Sequence, residues 1–187
     1  MQLRKKSLLL ALLPLLLILA ASANGELPKL TLKSLDGKAV ELRSFQNKVL
    51  LVTNTASLCG FTPQYRDLES LYQQFKDKGL VVLGFPSNDF NSQDPGTDAE
   101  IKKFCSFNYK ISFPMFTKNS VIGAKIQPMF SFLTDSPDES LRGEIGWNFE
   151  KFLVDKKGVV RARYGSFVNP MNKKITSKIE ELLSEFS

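Results

Sequence analysis

A continuous apolar segment runs directly into a cysteine-bearing turn in VLLVTNTASLCGFT, residues 49–62. Residues 49–53 are leucine or β-branched, which is typical of a strand covered on both faces of its sheet. A helical spacing of apolar residues follows from Pro63 onward. This order predicts that Cys59 lies at a strand-to-helix junction, where unpaired N–H groups favour a thiolate. Cys59 is therefore a candidate nucleophile, and a cysteine that merely packs in the core is the alternative.

The same patterns predict the elements on either side of this junction. We expect hairpins over 30–42 and over 151–155 with 159–164, strands over 48–53 and 80–85, and helices over 63–78, 126–133 and 169–186, with a further helix that begins at Thr97 and carries Cys105 near its far end. A β-α-β unit followed by a helix, a hairpin and a closing helix is the thioredoxin-like order. The fold class is therefore α/β: a thioredoxin-like fold, in which helices flank a central mixed β-sheet, with an N-terminal β-hairpin.

The first 23 residues have the pattern of an export signal. Basic residues at positions 4–6 precede an apolar stretch over 8–19, and small residues at 21–23 predict cleavage after Ala23. The apolar stretch is short for a membrane span, although an uncleaved anchor is the alternative. We expect an exported protein, periplasmic or secreted, with no stable membrane anchor after cleavage. Residues 24–187 then form a single domain.

Composition narrows the function classes. The formal net charge is +6 and the leader contributes three of those charges, so the remaining domain is only weakly basic. No basic cluster interleaved with aromatic residues is present, and we expect no nucleic-acid partner. The chain has two cysteines and no histidine, which excludes Cys–His catalysis and most zinc ligand sets. We expect no metal and no cofactor. Two cysteines in an exported protein also fit one structural disulfide.

Three blocks resemble signatures of the glutathione peroxidase family and occur in the family's order. They are TNTASLCGFTPQY at 53–65, LGFPSNDF at 83–90 and WNFEKFLVD at 147–155. The similarity runs from about Leu30 to the C-terminus. The resemblance implies a thiol-dependent peroxidase that reduces hydrogen peroxide and organic or lipid hydroperoxides through a cysteine sulfenic acid, in defence against oxidative stress.

The resemblance also implies site residues. The family's site resembles a tetrad in which Gln, Trp and Asn surround the peroxidatic cysteine, and Cys59, Trp147 and Asn148 match three of the four. An indole N–H only donates, whereas an amide both donates and accepts. Outside the motif, Trp147 would be interpreted as a core aromatic and Asn148 as a turn residue.

The second block departs from the family pattern, because Asp89 stands where the family usually has Gln. An ionised carboxylate beside the sulfur would disfavour the thiolate, and our hypothesis is that Asp89 slows the reaction with peroxide. Two alternatives stay open: a protonated Asp89 that donates, or an Asp89 that points to solvent while Asn88 or Gln93 covers the role.

Cys105 resembles the resolving cysteine of the family's thioredoxin-dependent members. The resemblance implies that Cys105 attacks the Cys59 sulfenic acid and that a thioredoxin-like protein or glutathione then reduces the disulfide. Because 45 residues separate the cysteines and Cys105 lies on a helix, the bond requires local unwinding. Simple packing of Cys105 is the alternative. The short segment 134–146 suggests a monomer.

Two rival functions compete with the peroxidase. A thiol-disulfide oxidoreductase of the thioredoxin type generally uses Cys-x-x-Cys, but Thr62 occupies the position three after Cys59. A non-enzymatic binding or scaffold domain would hold Cys59 and Cys105 in a static disulfide.

Overall fold

The computed structural model describes residues 27–185, so the predicted leader and the last two residues lie outside the described part. The strands are β1 Thr31–Lys33, β2 Ala39–Glu41, β3 Val49–Thr55, β4 Leu80–Pro86, β5 Lys151–Val154 and β6 Val160–Tyr164. The helices are α1 Gln64–Phe75, α2 Asp98–Phe104, α3 Pro128–Thr134 and α4 Lys173–Ser184. All the predicted elements of the described part are present.

The central sheet is mixed, in the order β4-β3-β5-β6. β3 pairs parallel with β4 and antiparallel with β5, and β5 pairs antiparallel with β6. Every residue of β3 is buried, as the continuous apolar run predicted. β1 and β2 form a separate antiparallel hairpin, which confirms the predicted N-terminal hairpin.

Side chains alternate across β3 and so divide the core in two. Val49 and Leu51 join a cluster with residues of α1, α2 and α4. Leu50 and Val52 point to the opposite face, where they join a second cluster with residues of α3 and the N-terminal hairpin. Helices therefore cover both faces of the sheet, and β3 lies at its centre.

The helix ends correct two predicted boundaries. α1 ends at Phe75, and a 3-10 turn continues to Gly79, whose φ of +108° ends the helical segment. α4 begins at Lys173, four residues later than predicted. Asn169 and Asn172 are joined by a backbone hydrogen bond of 2.9 Å that forms a turn, and the Asn172 side chain then caps the helix by accepting from Lys174 N at 2.9 Å.

α2 has very different ends. Its N-terminus carries a complete capping box, in which Thr97 and Glu100 satisfy each other's backbone N–H groups. Its C-terminus passes at Cys105 into a π-turn, Cys105–Tyr109, which Lys110 ends at φ +54°. Within residues 27–185, no helix is long and apolar enough to cross a membrane.

Candidate active site

Cys59 lies in a tight turn between β3 and α1. The Thr62 hydroxyl accepts from Cys59 N at 3.0 Å and donates to Ala56 O at 2.9 Å, which fixes the turn from within. Phe61 N donates to Cys59 Sγ at 3.4 Å, and the residue is only 7% exposed. The donor is thus an amide of the turn, three residues before α1 begins, where the sequence predicted the helix N-terminus itself. The sulfur therefore has one backbone donor directed at it.

A second loop, which follows β4, holds this turn in place. Asp94 Oδ1 accepts from both Ser57 N and Ser57 Oγ, at 3.1 and 2.6 Å, and Leu58 N donates to Gln93 O at 2.9 Å. Burial raises the pKa of Asp94, and the two hydrogen bonds from Ser57 oppose that shift. The residues on either side of the Leu58–Cys59 bond are therefore fixed to the loop that carries Gln93.

The Trp147–Asn148 segment is positioned by Asn54, at the end of β3. Asn54 Nδ2 donates to Trp147 O at 3.0 Å, and Asn54 Oδ1 accepts from Glu150 N at 3.0 Å. The backbone oxygen of Asn54 accepts from Phe149 N at 2.8 Å. Phe149 has φ +62°, a left-handed conformation that costs an aromatic residue about 1–2 kcal/mol. The three hydrogen bonds impose this turn and so fix the direction of the two preceding side chains.

Gln93 connects this segment to the cysteine turn. Asn148 is fully buried and its Nδ2 donates to Gln93 Oε1 at 2.9 Å, while Asn148 Oδ1 has no partner among the described residues. Trp147 packs against the core cluster that contains Cys59, and its ring centroid lies 5.5 Å from that of Phe90. The structure therefore brings three predicted residues, Cys59, Trp147 and Asn148, to one end of the sheet, together with Gln93.

Asp89 faces away from this group. It is exposed, and its carboxylate accepts from Ser120 Oγ at 3.1 Å and from Val121 N at 2.7 Å. The structure thus matches the alternative in which Asp89 points to solvent and Gln93 covers the polar role. The sequence left the choice between Asn88 and Gln93 open, because the direction of Gln93 depends on the residue before it, Ser92, which has φ +51°.

Cys105 is a buried free thiol at the C-terminus of α2, in the same core cluster as Cys59, which is also free. Burial raises the pKa of Cys105 to about 11, the nearby Tyr65 hydroxyl lowers it, and the charge of Asp94 raises it further. The Tyr65 hydroxyl lies beside the thiol, although the geometry falls short of a hydrogen bond. Tyr65 is completely buried, and burial also raises the pKa of its own hydroxyl. In this state Cys105 is held as a protonated thiol.

Comparisons with known proteins agree with this geometry. The glutathione peroxidase family profile matches residues 27–134. Over 171 residues the chain is 47% identical to a Synechocystis sp. protein named hydroperoxy fatty acid reductase gpx1, which covers 88% of this chain and all of that protein. Over 151 residues it is 47% identical to glutathione peroxidase-like peroxiredoxin HYR1 of Saccharomyces cerevisiae, with 80% of this chain and 91% of that protein covered.

Solved structures confirm the thioredoxin-like fold. The apo crystal structure of Trgpx superposes with a TM-score of 0.69 at 34% identity and covers 88% of this chain and 97% of its own. A thiol:disulfide interchange protein from Chlorobium tepidum has a TM-score of 0.62 at 16% identity, covers 86% and 97%, and shows the fold alone. These relatives do not favour the scaffold alternative. The chain belongs to the glutathione peroxidase family and is a thiol-dependent peroxidase.

Proposed function

We propose that Cys59 is the peroxidatic nucleophile. Its thiolate attacks one oxygen of a hydroperoxide, the O–O bond breaks, and the leaving oxygen takes up a proton, which gives a Cys59 sulfenic acid and an alcohol or water. The observation that best supports this role is the chain of hydrogen bonds from the cysteine turn through Gln93 to Asn148. It supports a site in which polar groups from two separate segments surround one sulfur.

Trp147, Asn148 and Gln93 are proposed to orient the peroxide and stabilise the developing charge. Asn148 Oδ1 is a buried acceptor without a partner among the described residues, which is costly unless a ligand uses it. The O–H of a bound hydroperoxide is a suitable donor. The indole N–H of Trp147 is a donor only, so it suits the sulfur or the leaving oxygen.

Cys105 is proposed to resolve the sulfenic acid. Its thiol attacks Cys59 sulfur, water leaves with the thiol proton, and a Cys59–Cys105 disulfide forms. With a pKa raised to about 11, Cys105 is a poor nucleophile in the closed structure. The adjoining π-turn supports resolution through local opening, because π-turns interrupt regular helical hydrogen bonding and occur at functional sites.

The reductant, the cellular location, the oligomeric state and the substrates are also proposals. A thioredoxin-like dithiol fits an intramolecular disulfide, and glutathione is the alternative, since relatives carry both peroxiredoxin and glutathione peroxidase in their names. The leader-like sequence of residues 1–23 supports export to the periplasm or outside the cell, and we propose that the mature protein is a monomer. We propose fatty acyl hydroperoxides among its substrates, as the Synechocystis relative's name states for that protein.

Peptide mass mapping tests the cycle. Reduced, leaderless protein receives one equivalent of hydrogen peroxide, and free thiols are blocked within seconds. A Cys59–Cys105 disulfide is expected, and the Cys105→Ser variant should stop at Cys59 sulfenic acid. Cys59→Ser is the matched control and should leave Cys105 reduced. A Cys59 that stays reduced in the wild type would contradict the proposal.

A further inference from the structure

An exposed aromatic side chain lies beside the cysteine turn. Phe167 is 89% exposed, and its ring meets the ring of Phe61 edge-on at a centroid distance of 4.9 Å. Phe61 is the residue whose N–H donates to Cys59 Sγ, and Leu58, on the other side of Cys59, is 64% exposed. A single exposed apolar residue is normal, but here two exposed residues, Leu58 and Phe167, and the half-buried Phe61 lie around the cysteine turn.

The loop that carries Phe167 is fixed from inside the protein. Lys151 Nζ donates to Val168 O at 2.6 Å and to Ser166 O at 3.4 Å. Gln64, the first residue of α1, donates from Nε2 to Ser166 O at 2.7 Å. The carbonyls of both residues adjacent to Phe167 are therefore tied to buried side chains. The exposed position of the ring is imposed by these contacts.

Lys151 is an unusual donor for these hydrogen bonds. Its side chain is completely buried, at the start of β5. Buried lysines are rare because desolvation of an ammonium is costly, and that burial lowers the pKa of Lys151 to about 7. The charge of the adjacent Glu150 opposes the shift, and the Glu150 carboxylate forms its own ion pair with Arg163 at 2.8 Å. The contacts that Lys151 itself makes are those to the loop carbonyls.

We propose that Phe167, held in place by Lys151 and Gln64, is the contact for the hydrocarbon chain of an acyl hydroperoxide and sets the preference of Cys59 for such substrates over hydrogen peroxide. This inference rests on the proposed function. A peroxide that reaches Cys59 Sγ brings its attached chain within contact of the neighbouring side chains. Those side chains are Leu58, Phe61 and Phe167, which carry no charge and favour hydrocarbon. Hydrogen peroxide has no such chain.

The expected effect follows from the contact area. Covering on the order of 60 Å² of apolar surface at about 25 cal/mol per Å² corresponds to roughly a tenfold preference. We therefore expect Phe167→Ala to lower about tenfold the ratio of the oxidation rate constants for a C18 fatty acid hydroperoxide and for hydrogen peroxide. Lys151 and Gln64 are positioning residues, so Lys151→Met or Gln64→Leu should lower the same ratio. If one of these variants fails to fold, the other still tests whether the hydrogen bonds to the loop carbonyls position Phe167.

The half-reactions are measured separately in the full-length chain. Reduced protein is mixed with each peroxide, the fatty acid hydroperoxide being kept below its micelle-forming concentration, and the fluorescence of Trp147, the single tryptophan, is followed in stopped flow. Re-reduction by a bacterial thioredoxin is measured in a second mix. Val159→Ala is the matched control, because Val159 is an exposed apolar residue (45%) in the turn between β5 and β6, away from both the cysteine turn and the π-turn.

A lower ratio in the Phe167, Lys151 and Gln64 variants, unchanged in Val159→Ala, supports the inference. It is overturned by an unchanged ratio or by an equal fall with Val159→Ala. It is also overturned if only the thioredoxin step slows, which would assign the surface to the reductant. A wild-type protein that reacts with neither peroxide would refute the proposed function instead.

Discussion

The buried Lys151 predicts an unusual dependence of stability on pH. An unfolded lysine titrates near its ordinary pKa of 10.5, whereas burial lowers the pKa of Lys151 to about 7 in the folded protein. Between these values the unfolded chain binds more protons than the native one. The contribution of Lys151 to the free energy of unfolding therefore rises with pH across this window, and it is flat on either side. Below about pH 7 the full cost of burying the ammonium is present, about 5 kcal/mol.

The Lys151→Met variant isolates this contribution. Methionine keeps an unbranched chain of similar length and removes the charge. From about pH 7.5 to about pH 9.5, the stability of the wild type relative to the variant should rise by about 2.5 kcal/mol. Cys105, whose raised pKa lowers stability as the pH rises above its unfolded value of 9, contributes equally to both proteins and cancels in the difference.

Urea unfolding under reducing conditions, at a series of pH values, measures the effect, since urea leaves the ionic strength unchanged. The carbonyls of Ser166 and Val168 stabilise the ammonium, so the predicted rise is an upper bound. A constant difference between the two proteins across the series would refute the reasoning. It would mean that these acceptors replace water fully and that Lys151 stays charged.

Three further outcomes are expected. At pH 8 about one Cys105 thiol in a thousand is ionised, so iodoacetamide should modify it far more slowly in the native than in the urea-unfolded protein; equal rates would contradict a closed α2. Gln93→Ala should lower the rate constant for hydrogen peroxide by about 10- to 100-fold, whereas Asp89→Gln should leave it within about twofold, and stopped flow decides between them. Asn54→Ala should cost about 2–3 kcal/mol in urea unfolding, because it leaves buried backbone groups unpaired, and should lower peroxidase activity by misplacing Trp147; an active, fully stable variant would refute that role.

The sequence predicted the parts of the fold that local patterns determine. The apolar run of β3 and the helical spacing of α1 depend on residues close in sequence, and both elements are present. The start of α4 was wrong because Asn169 and Asn172 form a turn whose hydrogen bond no periodicity reveals. Cys59, Trp147 and Asn148 were identified through short motifs, and the structure places them at one end of the sheet.

The rest of the site depends on contacts between distant segments. Gln93 enters it because Asn91 and Ser92 both adopt positive φ, which reverses the direction of the polar loop. Asn54 is 93 positions from Trp147, whose backbone it holds. Lys151 stands in a strand-like apolar block, and alternation puts it on the same face of β5 as the buried Leu153, where the sequence shows no partner for its ammonium. Its burial follows from carbonyls that reach it from the loop after β6.

The unequal ends of α2 give its opening a direction. Thr97 and Glu100 close the N-terminus, and Lys118 N adds a hydrogen bond to Asp98 Oδ1 at 2.8 Å. At the other end the helix runs into the π-turn after Cys105. Fraying should therefore start at the Cys105 end of the helix and stop at the capping box. Amide hydrogen exchange along α2 should show a gradient, fastest at the π-turn, and the opening that the proposed attack by Cys105 requires would be confined to about two turns of one helix.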